Sequence, residues 1–390
     1  MCCRTIAFAV LLLSWSQALA QTDVRIGFLG LKDDPRYDSA YAYARIAVRP
    51  SGDSAEGARM AVSDMKVVTD ARKISVTLDV ARAPDLDGLL TEAGRMVGAG
   101  TQYIVVDLPA DMVDLMAAGL TGTPVTLLNA TAPEDWLRQR CHSNLLNTAA
   151  SDRMISDALI QHLLKRKWNR VLILQGKTER DATRVASFTD AAARYRLQIV
   201  DTRVFDLSTN PEMREENNVA LLTAGTRDYD ILFIADDDGE FSRYVPYQTT
   251  LARPVVGSTG LVALEWHWSL ERYGAPQANL RFERQSTDGR RMGWQDWSAW
   301  VATRAVLLAY TKTQDPSPEG LEAFLRSDAL RLDGSKGVPM SFRPWSGQLR
   351  MPILLATANA VIGIAPFEGF LHHTNTLDSL GVDVPEFACD

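Results

Sequence analysis

The chain has 390 residues, of which 46% are hydrophobic and 23% charged, and a formal net charge of −7. An acidic chain without a basic block excludes nucleic acid as a partner, and ordinary hydrophobic and charged fractions exclude a disordered or fibrous protein. The length exceeds one ordinary core and predicts two domains. Arg4 supplies a positive start, Ile6 to Leu13 an apolar stretch, and Ala18-Leu19-Ala20 a small-x-small site. This pattern predicts an exported leader over residues 1–20, cleaved before Gln21. The apolar stretch is too short to span a bilayer. Cys2 and Cys3 precede it, so they are not placed for a lipid anchor. The mature chain is therefore expected to be soluble and outside the cytoplasm. Two cysteines remain after cleavage, Cys141 and Cys389. In an oxidising compartment a disulfide between them is expected, the alternative being two separate thiols.

Val24 to Leu29 reads as a first buried strand and Ser51 to Met65 as the helix after it. The link between them, Lys32 to Pro50, is long for a strand-to-helix loop, and such loops are often functional. Strands at Ile74–Val80, Tyr103–Val106 and Val125–Leu128 alternate with helices at Leu86–Val97 and Ala110–Ala118. This alternation predicts a parallel sheet covered on both faces. After Cys141–Asn147 it restarts. Helices fit Ser151–Leu164, Asp181–Tyr195 and Met213–Thr223. Strands fit Arg170–Leu174, Gln198–Phe205, Ile231–Ala235 and Val255–Val256. Residues 266–326 read as mostly helical, notably Trp297–Tyr310 and Glu319–Leu325. Strands at Met340–Phe342, Met351–Ala356 and Val361–Ala365 end the chain, with Asn359 at a hairpin turn. Two α/β runs and this late return of strands imply two lobes between which the chain crosses more than once.

No cofactor or catalytic motif emerges. Gly27-Phe28-Leu29-Gly30 lacks the spacing of a dinucleotide-binding turn. There is no P-loop and no Gly-x-Ser-x-Gly elbow. The five histidines show no zinc spacing. The chain is read as a non-enzyme without cofactor or metal. The sharpest chemical cluster is Asp236-Asp237-Asp238-Gly239-Glu240, directly after the strand Ile231–Ala235. Ligands bind at that edge of open α/β sheets. The acids either meet an amine, hold a hard cation such as calcium, or merely cap a helix and face water. Asn129-Ala130-Thr131-Ala132-Pro133 follows its strand in the same way. Its small residues and the Thr131 hydroxyl suit a carboxylate or another polar head. Trp297 and Trp300 are three apart and read as core. Trp266 and Trp268 follow a Gly-rich segment and either wall a pocket or pack inside.

The leader, the two α/β runs, the Ala-Thr-Ala-Pro turn and the terminal hairpin resemble type I periplasmic binding proteins, in particular the branched-chain amino acid branch of ABC-transporter substrate-binding proteins. A narrower resemblance rests on Arg253-Pro254-Val255-Val256-Gly257, Glu265-Trp266-His267-Trp268, Asp296-Trp297-Ser298-Ala299-Trp300, Phe342 to Leu349 and Leu377-Asp378-Ser379-Leu380-Gly381. These segments resemble the substrate-binding proteins associated with PQQ-dependent alcohol dehydrogenase systems. The resemblance implies two Rossmann-like α/β lobes with parallel sheets, joined by a multi-strand hinge and closing on a ligand. The expected divisions are a leader over 1–20, a first lobe of 21–147 plus 263–337, a second of 148–262 plus 338–366, and a C-terminal extension over 367–390 that packs on the lobes.

It also implies a periplasmic receptor for a small polar solute, delivering it to an ABC-transporter permease. The second reading is an accessory protein docking on a periplasmic quinoprotein dehydrogenase. Residues expected to face the ligand are Asp33, Tyr37, Leu108, Ala130, Thr131, Lys177, Asp236, Asp238, Ser258 and Trp266. Leu108-Pro109-Ala110 stands where amino acid binders place a small hydroxyl residue, and Pro109 has no N–H to donate. This departure argues against an amino acid ligand.

Overall fold

The computed structural model describes residues 22–37, 52–206 and 217–389. The expected leader, much of the loop after the first strand and the start of the helix expected at Met213–Thr223 lie outside the described residues. Strand β1 (Thr22–Leu31) is followed by α1 (Ala55–Ala71), β2 (Ile74–Ala83), α2 (Leu86–Gly98), β3 (Tyr103–Asp107), α3 (Ala110–Gly119), β4 (Thr126–Asn129), α4 (Asp135–Gln139) and β5 (Leu145–Asn147). The five strands are parallel, in the order β2-β1-β3-β4-β5. Along β3, Tyr103 and Val105 join the core shared with α1, while Ile104 and Val106 join the core of α2 and α3. A strand buried on both faces is apolar throughout rather than alternating, which is why these strands stand out in the sequence.

The second half runs α5 (Asp152–Lys165), β6 (Arg170–Gln175), α6 (Glu179–Arg194), β7 (Gln198–Val204), α7 (Val219–Leu222), β8 (Ile231–Ala235), α8 (Val245–Gln248) and β9 (Val255–Gly257). Its parallel sheet has the order β7-β6-β8-β9. Then come β10 (Val262–Leu264), α9 (Ala275–Gln285), α10 (Trp294–Lys312), α11 (Pro318–Leu325), β11 (Leu332–Asp333), β12 (Pro339–Met340), β13 (Ile353–Ala356) and β14 (Val361–Ala365). Helices α9 and α10 return to the first half and pack on α1, whereas β10, β13 and β14 form an antiparallel sheet against α5. Helices α1 and α10 meet at backbone contact, because a Cβ on Gly57 would lie 2.0 Å from the Asp296 carbonyl oxygen.

The chain thus passes between the halves three times: after β5, after β10, and between β11 and β13. Buried polar groups tie the three passages together. The Glu265 carboxylate accepts the Ala150 N–H at 3.0 Å, and the Lys336 ammonium donates to the Glu265 and Pro352 carbonyls at 2.9 and 2.6 Å. Burial pushes the Lys336 ammonium pKa well down and the Glu265 carboxyl up. Trp297 lies 3.8 Å beneath that ammonium and stacks on Trp266.

Beyond β14 the tail crosses the junction. Asp378 accepts from Arg343 and Arg350, each at 2.9 Å, and the Gly381 N–H donates to Asp157 of α5 at 2.7 Å. Cys389 is bonded to Cys141, just past α4, so the expected disulfide is present. Among the described residues no helix is long and apolar enough to cross a membrane.

Candidate functional site

The C-terminal ends of both parallel sheets open onto one cavity of about 960 Å³. The first half contributes Arg36 and Tyr37 after β1, Pro109 after β3, and Thr131 to Glu134 with Trp136 after β4. The second half contributes Thr178 to Arg180, Thr183 and Arg184 after β6, Asp236 and Asp237 after β8, and Ser258 after β9. Trp294 and Gln295, opening α10, complete the wall. Strand ends gather loops at one edge of a parallel sheet, and two such edges facing each other make a cleft.

Asp107, the last residue of β3, organises the first wall. Its Oδ1 accepts from Arg36 Nη2 at 2.8 Å and Thr131 Oγ1 at 2.7 Å; its Oδ2 accepts from Tyr37 Oη at 2.6 Å and also from Ser54 Oγ. Burial and then Asp107 push the Tyr37 phenol pKa well up, so it stays protonated. Burial pulls the Arg36 guanidinium pKa down, but Asp107 and Asp34 outweigh it and the net shift is upward. The turn after β4 is closed on itself. Asn129 Oδ1 accepts the Thr131 and Ala132 N–H groups at 3.2 and 2.8 Å, and the Ala130 N–H donates to the Val106 carbonyl at 3.0 Å.

The second wall is built on the start of α6. Thr178 and Asp181 form a reciprocal cap, satisfying N–H groups a helix start leaves open. One α6 arginine, Arg180, grips Asp152 with two bonds at 2.5 and 2.6 Å and lies 3.6 Å from Glu134 of the first half. Arg184, one turn on, donates to Ser258 Oγ at 3.3 Å. Among the described residues no carboxylate lies within 4.0 Å of it. Burial and then the repulsion of Arg180 push its pKa down, outweighing the more distant pull of Asp152, Asp237 and Asp181.

Of the residues expected to face a ligand, Tyr37, Thr131, Asp236 and Ser258 lie on this cavity and six do not. Leu108 and Ala130 are fully buried, because each points from its strand end into the core while the neighbouring residue faces the cleft. Trp266 is buried on Trp297, its Nε1 donating to Asn279 at 3.0 Å. Asp33 is exposed at a left-handed turn with φ of 55°, leaving Arg36 and Tyr37 to reach inward. Lys177 points outward to pair with Asp206 at 2.8 Å. Within the acidic cluster, Asp238 lies off the wall, and the Asp236 carboxylate accepts the Ser242 N–H at 2.7 Å inside its own loop. Sequence reasoning missed Asp107, Arg36, Arg180 and Arg184. A carboxylate ending the all-apolar run Tyr103–Val106 was the available signal for the first; Arg180 and Arg184 carried none, since Arg on an amphipathic helix ordinarily faces water, and Arg36 lies in a short turn of the loop after β1.

The chain matches no protein-family model and no curated protein sequence. Solved structures do share its fold. A branched-chain amino acid ABC transporter periplasmic ligand-binding protein from Burkholderia xenovorans aligns with a TM-score of 0.72 at 13% identity, over 94% of this chain and 99% of that one. An ABC transporter substrate-binding protein from Desulfitobacterium hafniense, in complex with Leu, aligns at 0.65 and 16% identity, over 88% and 100%. A solute-binding protein of an ABC transporter from Rhodopseudomonas palustris, in complex with 3,4-dihydroxybenzoic acid, aligns at 0.63 and 11% identity, over 88% and 97%. The likeness establishes the fold: the chain has the two-lobed α/β architecture, with parallel sheets, of type I periplasmic binding proteins.

Proposed function

We propose that the chain is a periplasmic solute receptor, a substrate-binding protein that takes a small molecule between its lobes and delivers it to an ABC-transporter permease. One observation carries this reading: the strand ends of both sheets converge on a single cavity of about 960 Å³ walled by both halves. A ligand touching both walls favours the closed arrangement over the open one, and that difference is what a permease reads. The chain acts by binding and release, without chemistry on the solute. Similar folds that hold Leu and 3,4-dihydroxybenzoic acid support a solute of that size.

Thermal melting against amino acids, short alcohols, aldehydes, organic acids and quinone cofactors tests the reading. A true ligand at a hundred times its Kd adds about 2.7 kcal/mol of stability and raises the Tm. No shift across the whole panel overturns the proposal.

The segments between 253 and 381 that resemble proteins of PQQ-dependent alcohol oxidation support a narrower proposal, that the solute belongs to that metabolism. Mass spectrometry of protein purified from its native cells tests this and the expected export together. A mature chain starting at Gln21 and a retained alcohol-derived metabolite are expected. An unprocessed leader refutes export, and a retained molecule of unrelated chemistry refutes the link to alcohol oxidation.

A further inference from the structure

We infer that the solute is an organic monocarboxylate with a flat apolar body, its charged group received by Arg184 and Ser258 on the second wall. The inference rests on the receptor reading and names the class of ligand for the same cavity.

The first wall has few donors left to offer. The Tyr37 and Thr131 hydroxyls both donate to Asp107, and the Arg36 guanidinium is held by Asp34, Asp107 and Thr131. The amides of the turn after β4 are held by Asn129 and by the Val106 carbonyl. An anion arriving there would find its partners taken.

The second wall is the reverse. Arg36 and Arg180 are each paired with carboxylates, whereas among the described residues Arg184 makes no ion pair and hydrogen-bonds the Ser258 hydroxyl. It is half-buried beside a like charge. Asp152, Asp237 and Asp181 act on this guanidinium only from a distance; a partly desolvated charge without a direct ionic contact is costly, and it stays charged at any physiological pH. Ser258 Oγ accepts from Arg184 at 3.3 Å and from the Asp236 N–H at 2.9 Å, so its own hydrogen remains to donate. A carboxylate seated here would take the planar fork of Arg184 and that hydroxyl together.

The surroundings limit the choice further. Exposed Asp237 and Glu179 flank the same wall, so a second negative charge on the ligand would be repelled. Neither needs a ligand amine, because an exposed carboxylate is satisfied by water. Trp136 and Trp294 on the cavity surface supply apolar faces suited to a flat body.

Titration calorimetry and thermal melting with benzoate, phenylacetate and 3,4-dihydroxybenzoate, beside benzamide, benzyl alcohol and benzylamine, decide the matter. The comparison uses the full mature chain, Arg184→Gln and Arg184→Lys. An acid is expected to bind while its neutral and cationic counterparts do not. Arg184→Gln should weaken the acid at least about tenfold, as loss of a charge-assisted hydrogen bond implies, and Arg184→Lys should restore part of it. Ligand-free Arg184→Gln should melt at the same temperature or higher, since burial and Arg180 outweigh the distant carboxylates that favour this charge; a lower Tm would assign Arg184 a structural role and overturn the inference. If an amide, alcohol or amine binds as well as the acids, or Arg184→Gln binds acids unchanged, the receptor stands and the anion assignment falls. If nothing in this or the broader panel binds, both fall.

Discussion

Asp107 shows how one side chain fixes a wall. Four groups from three separate segments of the chain, Arg36, Tyr37, Ser54 and Thr131, converge on its two oxygens. Replacing it with Ala leaves buried hydroxyls without an acceptor and Arg36 with one carboxylate fewer. Asp107→Ala should therefore lose about 2–4 kcal/mol of stability, read by urea unfolding, and should lose solute binding with it. Asp107→Asn keeps the shape and should lose less; equal stability of Asp107→Ala and the parent would refute the role. The same position marks the limit of sequence reasoning at this scale. Leu108 was expected to face the ligand; it packs in the core, and Asp107 beside it, buried as well, holds the groups of the first wall from behind. Strand periodicity locates the edge of a sheet; it does not tell which side chains beneath that edge will carry the polar contacts. Arg184 was further out of reach. In sequence it is indistinguishable from Arg194 of the same helix, yet Arg194 has Asp157 as a partner and, among the described residues, Arg184 has no carboxylate within 4.0 Å.

Among elements, the close approach of α1 and α10 joins a helix read early in the chain to one read late. Gly57 permits it, and the pair is pinned by Trp300 donating to Asp64 at 3.1 Å. Gly57→Ala should force the helices apart and cost about 1–3 kcal/mol, measured by chemical denaturation. An unchanged midpoint would show that the backbones do not meet. The long buried strands and amphipathic helices were legible because each carries its own apolar pattern. The three-residue strands β5 and β10 were not, since so short a run owes its conformation to the neighbour it pairs with. The hairpin of β13 and β14 was legible from its turn, although the first of these strands is shorter than expected.

On the scale of the whole molecule, two sheets share three chain passages held by Glu265 and Lys336, and the tail beyond β14 closes the arrangement through Cys389. The two-lobed plan followed from the repeated α/β alternation, and the tail was expected to pack on the lobes; which groups hold it was not legible, because its contacts lie with Arg343, Arg350 and Asp157, dispersed through the sequence. The bonded cysteines are 248 residues apart, and a loop of that length removes on the order of 5 kcal/mol of chain entropy from the unfolded state. A reductant should lower the Tm by several degrees, and Cys141→Ser with Cys389→Ser should do the same without reductant. Unchanged melting in both would show that the bond adds nothing to stability. The bond also alters the molecule's connectivity. From Cys141 onward, the second sheet, both later helices of the first half and the junction itself form one closed covalent ring. A single backbone cut anywhere inside that ring leaves both fragments on one molecule, so the cleft would keep its two walls until both cut and bond are broken.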